Sequence, residues 1–209
     1  MRIRWLLLGV AALALAACHG GGSNDAASST TTVVPTTAAR VAAAPPGACP
    51  PFTGSTTALQ SFGPTAPASL TDAAAGADGC LDRVTFTLRS LGNGTPPGYL
   101  VGYQDPAKEP FVDGDPPVPI SLPGDAFLVV KIAPALSIDP SVAGQPATYT
   151  GNLSLEYGDH HHLQIVRKLP DAQNTVVWVI GLDSVRPFRV DRSEDGREPG
   201  IVRVSVLIG

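Results

Sequence analysis

The sequence predicts an all-β domain of about nine short strands, arranged as an antiparallel β-sandwich or a closed barrel. Three observations lead to this prediction. Apolar and polar residues alternate over the second half of the chain, Pro- or Gly-bearing turns separate most of the alternating segments, and no stretch has a persuasive helical period. The 209 residues include 22 Gly and 21 Pro, a composition that argues against a plain helical domain.

The first predicted strand follows Asp82, where Val84, Phe86 and Leu88 share one face, and the last ends the chain with Val202 to Ile208 in the same alternation. Two internal segments, "AFLVVKI" and "TVVWVIGL", are apolar on both faces, so we expect central strands that are covered on each side. Residues 66–77, "APASLTDAAAGA", are expected to contain one short turn of helix. With the two central strands included, the strands between the first and the last are predicted over 99–103, 118–122, 126–132, 152–157, 163–168, 175–182 and 188–191.

The first 17 residues have the layout of a secretory signal peptide, with Arg2 and Arg4 before an apolar run and small residues at its end. The uncharged run from residue 5 to 17 is about 20 Å long as a helix, whereas a bilayer core needs about 30 Å. The sequence "LAAC" matches the bacterial lipobox and predicts that Cys18 is the lipidated residue. Palmitate is among the acyl groups expected on this residue. The alternative is an ordinary secreted protein with a chance cysteine near its cleavage site.

Residues 18–48 are rich in Gly, Ser, Thr, Ala and Pro and predict a flexible linker with a mean reach of roughly 30 Å. The expected location is therefore extracytoplasmic, on a lipid anchor in the cell membrane. Removal of the two arginines of the signal segment changes the formal charge from −4 to −6. A negative net charge of this size on the mature chain argues against nucleic acid as the main partner.

Two cysteines follow the linker, Cys49 and Cys80, and export to an oxidising compartment predicts a disulfide between them. The bond would attach an irregular segment, 49–79, to the globular domain, 80–209. The alternative is a pair of buried free thiols.

Six short stretches occur in a defined order along the chain, namely "CLDRVTF", "PGYLVGY", "GDAFLVV", "ATYTG", "WVIGL" and "RPFRV". Together they resemble the AMIN-like domain of exported actinobacterial lipoproteins. The resemblance implies a β-sandwich related to the AMIN domain that accompanies cell-wall amidases and pilus secretins, where it is taken to bind peptidoglycan or localise its host. It brings no catalytic residues. The chain departs from the family pattern at "LPDAQNT" and in its last strand, "GIVRVSV", which puts a shared ligand surface in doubt.

The triplet His160 to His162 offers two imidazoles on one face if it is a strand, with Asp159 nearby, but no third metal ligand is evident. A polar turn before the next strand is the preferred interpretation. Residues 191–196, "DRSEDG", begin like a calcium loop, yet the twelfth position is Val202 instead of Glu, so we expect a hairpin turn. Neither segment predicts a metal or a cofactor.

No nucleophile elbow, zinc-protease motif or phosphate-binding loop is present in the sequence, so we expect a protein without enzymatic activity. A polar strand face is the candidate ligand surface, because guanidinium groups and aromatic planes suit carboxylates and sugars. Solvated strand faces and core tyrosines are the preferred interpretation, so no ligand-binding residue is assigned. The residues of this candidate face are Arg83, Arg167, Arg186, Arg189, Tyr99 and Tyr103.

The sequence thus predicts a lipid-anchored envelope protein that binds cell-wall polymer or positions envelope machinery. The alternative is a module that binds another envelope protein or a small solute.

Overall fold

The computed structural model describes residues 49, 51–63, 65–92, 96–155 and 160–209. Cys18 and the predicted signal and linker lie outside them. The described residues form twelve strands and no helix, which confirms the all-β prediction and corrects the predicted number of strands. The strands are β1 (Leu59–Ser61), β2 (Ala68–Asp78), β3 (Leu81–Ser90), β4 (Gly98–Tyr103), β5 (Phe111–Asp113), β6 (Val118–Ile120), β7 (Ala126–Ala133), β8 (Ala135–Leu136), β9 (Leu163–Lys168), β10 (Val176–Leu182), β11 (Phe188–Glu194) and β12 (Ile201–Ile208).

Ten strands form two five-stranded sheets. Sheet I has the order β11-β12-β3-β2-β8, and sheet II has the order β1-β4-β7-β10-β9. Strands β5 and β6 form a separate hairpin. All pairs are antiparallel except the short parallel pair of β2 with β8.

The inward faces of the two sheets share one hydrophobic core. Phe86 of sheet I packs on Trp178 of sheet II with 5.4 Å between ring centroids, and Tyr149 meets the same indole edge-on at 5.7 Å. Phe86 and Trp178 are fully buried. Aromatic pairs at these separations stabilise a core beyond their buried area. The two facing sheets make a β-sandwich, and the barrel alternative is wrong.

The prediction that two central strands are covered on both faces is confirmed for most of their residues, although Lys131 and Val177 stay partly exposed. Strands β7 and β10 pair over seven residues at the centre of sheet II. Their inward residues join the main core, while Phe127, Val129 and Val179 form a second buried cluster with Phe111 of the hairpin. The β5–β6 hairpin therefore covers part of the outer face of sheet II.

Residues 66–77 do not form a helical turn, and the segment 49–79 is not irregular throughout. Residues 68–78 are β2, which pairs with β3 from end to end apart from a bulge at Thr71. Alanine has the highest intrinsic helix propensity, but pairing with a neighbouring strand outweighs that preference here. Strand β1 lies in the same segment and pairs with β4 at the edge of sheet II.

Two further predictions need correction. Between residues 152 and 155 only Ser154 forms a bridge, to Arg167, so the described part of the predicted strand 152–157 is an isolated contact. The segment 191–196 is mostly strand, because β11 continues to Glu194. The turn to β12 follows at residues 195–200, so the predicted hairpin exists with its turn shifted along the chain.

A disulfide joins Cys49 to Cys80, as predicted, with 5.6 Å between the two Cα atoms. Cys80 lies in the turn between β2 and β3. The bond therefore holds the beginning of the described chain against sheet I. In the part of the chain that the structure describes, no helix has the length and apolarity that a membrane crossing requires.

Candidate functional site

An open groove lies on the outer face of sheet II, beside the β5–β6 hairpin. Its floor includes a row of side chains across three strands, in which Leu100 of β4 is opposite Lys131 of β7 and Lys131 is opposite Val177 of β10. Val129, two residues before Lys131, extends the floor. Opposed residues of antiparallel strands have Cβ atoms about 5 Å apart, so the lysine stem lies between two apolar side chains.

The groove has two halves, with cavity volumes of about 450 and 410 Å³. The first half follows β4 and the loop after it, and the second lies between the hairpin and the loop after β9. Volumes of a few hundred Å³ suit a small ligand or a short segment of a polymer. The residues that line both halves, and so mark their junction, are Gln104, Glu109, Val129 and Lys131.

The hairpin wall of the groove is fixed to the sheet below it. Phe111 is only 3% exposed and packs edge-on against Phe127, with 5.3 Å between ring centroids. The Arg167 guanidinium of β9 donates to the Asp113 carboxylate of the hairpin at 2.6 Å, and this bond lowers the pKa of Asp113. A wall held by aromatic packing and an ion pair keeps the groove open without a ligand.

Two acidic side chains of the groove are neutralised by lysines. Asp105 lies 3.5 Å from the Lys108 ammonium at the solvent-exposed rim. The Asp171 carboxylate accepts from the Lys168 ammonium at 2.6 Å and from the Ser137 backbone N–H at 2.6 Å. These carboxylates are already engaged within the protein.

The two remaining charged residues of the groove, Lys131 and Glu109, differ from these pairs. Among the described residues, neither the Lys131 ammonium nor the Glu109 carboxylate has an ion pair or a hydrogen bond. Lys131 is partly buried on the apolar floor, and Glu109 is exposed on the wall. The junction of the two halves thus presents one unpaired cation and one unpaired anion to a ligand.

The histidine triplet surrounds a buried carboxylate. Asp82 is 0% exposed and lies on the inward face of β3. Its oxygens accept from the backbone N–H groups of His161, His162 and Leu163 at 3.0, 2.7 and 3.1 Å, and His160 Nδ1 lies 3.2 Å away. Burial alone raises the pKa of Asp82, but these hydrogen bonds outweigh it and the net shift is downward.

The three imidazoles do not converge on one point. His161 Nε2 lies 3.1 Å from the Gly79 carbonyl oxygen, and His162 Nδ1 lies 3.2 Å from the Asp183 carboxylate. The triplet precedes β9 instead of forming a strand, as the polar-turn interpretation predicts. Within the described residues no cluster of three metal-binding side chains occurs, and Asp159 lies outside them.

The candidate arginine face does not exist as one surface. Arg83 and Arg189 both flank Leu207 on the outer face of sheet I, Arg167 faces outward from sheet II, and Arg186 lies in the loop before β11. Each guanidinium is paired with an aspartate, so none is a ready ligand-binding group. The pairs are Arg83 with Asp78, Arg167 with Asp113, Arg186 with Asp183, and Arg189 with Asp191.

The two tyrosines of that face have structural roles. Tyr99 and Tyr103 pack against the main core. The Tyr103 hydroxyl donates to the Arg186 carbonyl at 2.7 Å and accepts from the Arg186 backbone N–H at 2.8 Å. Burial raises the pKa of Tyr103. This residue fixes the loop that carries the chain from sheet II to sheet I.

Sequence reasoning missed Lys131. The lysine stands in "AFLVVKI", a segment that predicts a central strand without pointing to a ligand. One signal was available, because Lys131 shares its face with Phe127 and Val129 and so interrupts an apolar stripe with a charge. Its floor partners Leu100 and Val177 come from distant segments, and their positions follow only from the register of sheet II.

A model of the family described as AMIN-like domain matches residues 68–206, which is more than half of the chain. The match begins at the first residue of β2 and ends within β12. Neither the curated proteins nor the solved structures contain a significant match.

Proposed function

Because the chain belongs to the AMIN-like domain family, we propose that it is a non-catalytic module of the cell envelope that binds peptidoglycan through the groove on sheet II. Domains of this family are extracytoplasmic. The observation that carries the proposal is the preformed groove, whose junction presents unpaired charges over an apolar floor. An open groove of this kind suits a polymer, because the chain of the ligand can continue beyond both ends.

A binding role also agrees with how the reactive side chains are used. Cys49 and Cys80 are joined in the disulfide, and the triplet His160 to His162 orders the turn around Asp82. These groups stabilise the fold instead of facing the groove.

Lipidation of Cys18 is the second part of the proposal. The lipobox "LAAC" and the linker 18–48 support an anchor in the cell membrane that lets the domain reach the cell wall. The full-length Cys18→Ser variant, expressed in its natural host, tests the anchor by cell fractionation. The proposal expects release of the variant from the membrane fraction, and retention equal to that of the unaltered protein would contradict it.

Sedimentation with isolated sacculi tests the binding role. The chain from His19 to Gly209, which lacks Cys18, is exported to an oxidising compartment so that the disulfide forms, and is then mixed with protein-free sacculi at low salt. We expect a saturable fraction in the pellet that disappears when the sacculi are digested with muramidase beforehand. A protein that remains in the supernatant would overturn the proposal.

One observation favours a protein partner as the second candidate function. Strand β2 pairs with β3 from end to end, apart from the bulge at Thr71, but with β8 only at Ala68 and Ser69. Among the described residues no strand pairs with the other edge of β2 over residues 72–78. Such an edge can accept an added strand from another protein. A protein that binds envelope extract but not protein-free sacculi would favour this function.

A further inference from the structure

We propose that the groove on sheet II recognises the peptide stem of peptidoglycan, with Lys131 binding a ligand carboxylate and Glu109 binding a ligand ammonium or amide N–H. The inference rests on the proposed function and names the part of the polymer that is bound. It follows from the charges at the junction and from the side chains of the floor.

The charges select an ionic ligand. Two of the carboxylates that line the groove are engaged by lysines, Asp105 by Lys108 and Asp171 by Lys168. Lys131 and Glu109 remain, and both line both halves of the groove. A charged group on a partly apolar surface is stabilised most by a partner of opposite charge that also excludes water. A ligand that carries both a carboxylate and an amino group satisfies the two residues together.

The floor distinguishes a peptide from a sugar. Carbohydrate sites usually present an exposed aromatic plane to the sugar ring, because the amphipathic ring supplies broad contact area. Here the two aromatic residues that line the groove offer no such plane, because Phe111 is 3% exposed and the half-buried Tyr103 packs against the main core. The exposed floor consists of branched aliphatic side chains such as Leu100 and Val177 around the Lys131 stem. This surface suits the small apolar side chains of a stem peptide.

The experiment measures binding of two soluble probes to the chain from His19 to Gly209 by isothermal titration calorimetry. The first probe is a disaccharide-tetrapeptide released from sacculi by muramidase, and the second is the same disaccharide without its peptide. Lys131→Met removes the charge and keeps most of the stem. Arg89→Met is the matched control, because Arg89 is an exposed cation of β3 in the other sheet and the change in net charge is the same.

The proposal expects the peptide-bearing probe to bind more tightly than the bare disaccharide. It expects Lys131→Met to weaken binding by about ten- to hundredfold, the effect of losing one hydrogen bond to a charged group, while Arg89→Met stays within about twofold of the unaltered protein. Lys131→Arg keeps the charge and should retain most of the affinity. This second variant separates loss of the charge from damage to the fold.

Three outcomes would overturn the inference: equal binding of both probes, unchanged affinity in Lys131→Met, or equal losses in Lys131→Met and Lys131→Arg with both proteins folded. Each of these leaves the proposed function intact if the unaltered protein still sediments with sacculi. Absence of sedimentation with sacculi counts against the proposed function itself. The two failures are therefore distinguishable.

Discussion

The Asp82 carboxylate on β3 accepts a hydrogen bond at 2.7 Å from the backbone N–H of His162, which leads into β9 of the opposite sheet. The Leu163 N–H, the first of β9, binds the same oxygen at 3.1 Å. A buried carboxylate with several donors is stable only while they stay in place. Hydrogen bonds of Asp82 therefore connect β9, the edge strand of sheet II, to β3 at the centre of sheet I.

Replacement of Asp82 with asparagine should destabilise the protein strongly. The amide presents one N–H₂ group to a site with three backbone N–H donors, so at least one bond is lost and one buried donor is unsatisfied. We expect a loss of about 2–4 kcal/mol in the free energy of unfolding, measured by urea denaturation. Asp78→Asn is the control, because Asp78 forms an exposed ion pair with Arg83 and should lose less than about 1 kcal/mol.

Low pH should reduce the stability of the folded protein, in part through protonation of Asp183. The Arg186 guanidinium, with further hydrogen bonds from His162 and Ser184, lowers the pKa of Asp183 from 3.8 to about 2. The Asp183 carboxylate thus binds a proton less tightly in the folded state than in the unfolded state. Its contribution to the free energy of unfolding is therefore complete above about pH 4 and is lost as the pH falls toward 2. Because Asp183 is about one-third exposed, solvent screening limits the effect to about 1 kcal/mol.

The comparison of the unaltered protein with Asp183→Asn tests this pH dependence. Urea denaturation at several pH values should show that the unaltered protein has the higher free energy of unfolding at pH 7. The difference from Asp183→Asn should become smaller below pH 4. A difference that stays constant down to pH 2 would show that the carboxylate charge is not its source.

Phe111→Ala should loosen the hairpin that walls the groove. The side chain is nearly fully buried against Phe127, and truncation of a buried phenylalanine costs about 3–5 kcal/mol. We expect lower stability by urea denaturation and faster hydrogen exchange in β5 and β6. Val112→Ala serves as the control on the same hairpin, since Val112 is 38% exposed and should change stability by less than about 0.5 kcal/mol.

Removal of the disulfide should lower stability without abolishing the sheets. Cys49 and Cys80 are 31 residues apart, and closure of a loop of this length stabilises the folded state by roughly 3.5 kcal/mol on the chain-entropy model. The double variant Cys49→Ser, Cys80→Ser should therefore melt at a lower temperature, measured by circular dichroism. Cys18→Ser keeps the disulfide, so an equal loss of stability in that variant would contradict the assignment.

The local pattern of apolar residues was sufficient to predict a strand where burial on both faces gives a continuous apolar run. "AFLVVKI" and "TVVWVIGL" predict central strands covered on each side, and β7 and β10 are such strands. The pattern failed for "APASLTDAAAGA", because the helix propensity of its alanines is outweighed by pairing with β3, which decides the conformation of β2.

The candidate site was harder to predict, because its residues come together only through the sheet register. Arg83 and Arg167 are both arginines on strands, yet they lie on the outer faces of different sheets and pair with nearby aspartates. Lys131 is separated from such partners by its apolar neighbours. An inventory of charged residues cannot distinguish a paired guanidinium from an unpaired ammonium.

The disulfide between Cys49 and Cys80 also sets the path of mechanical load. In a chain held at its amino-terminal end, tension that arrives at Cys49 passes through the covalent bond to the turn before β3 and bypasses residues 50–79. Strands β1 and β2 are thereby shielded from being peeled from their sheets by such tension. Reduction of this one bond would transfer the tension to the backbone hydrogen bonds of an edge strand.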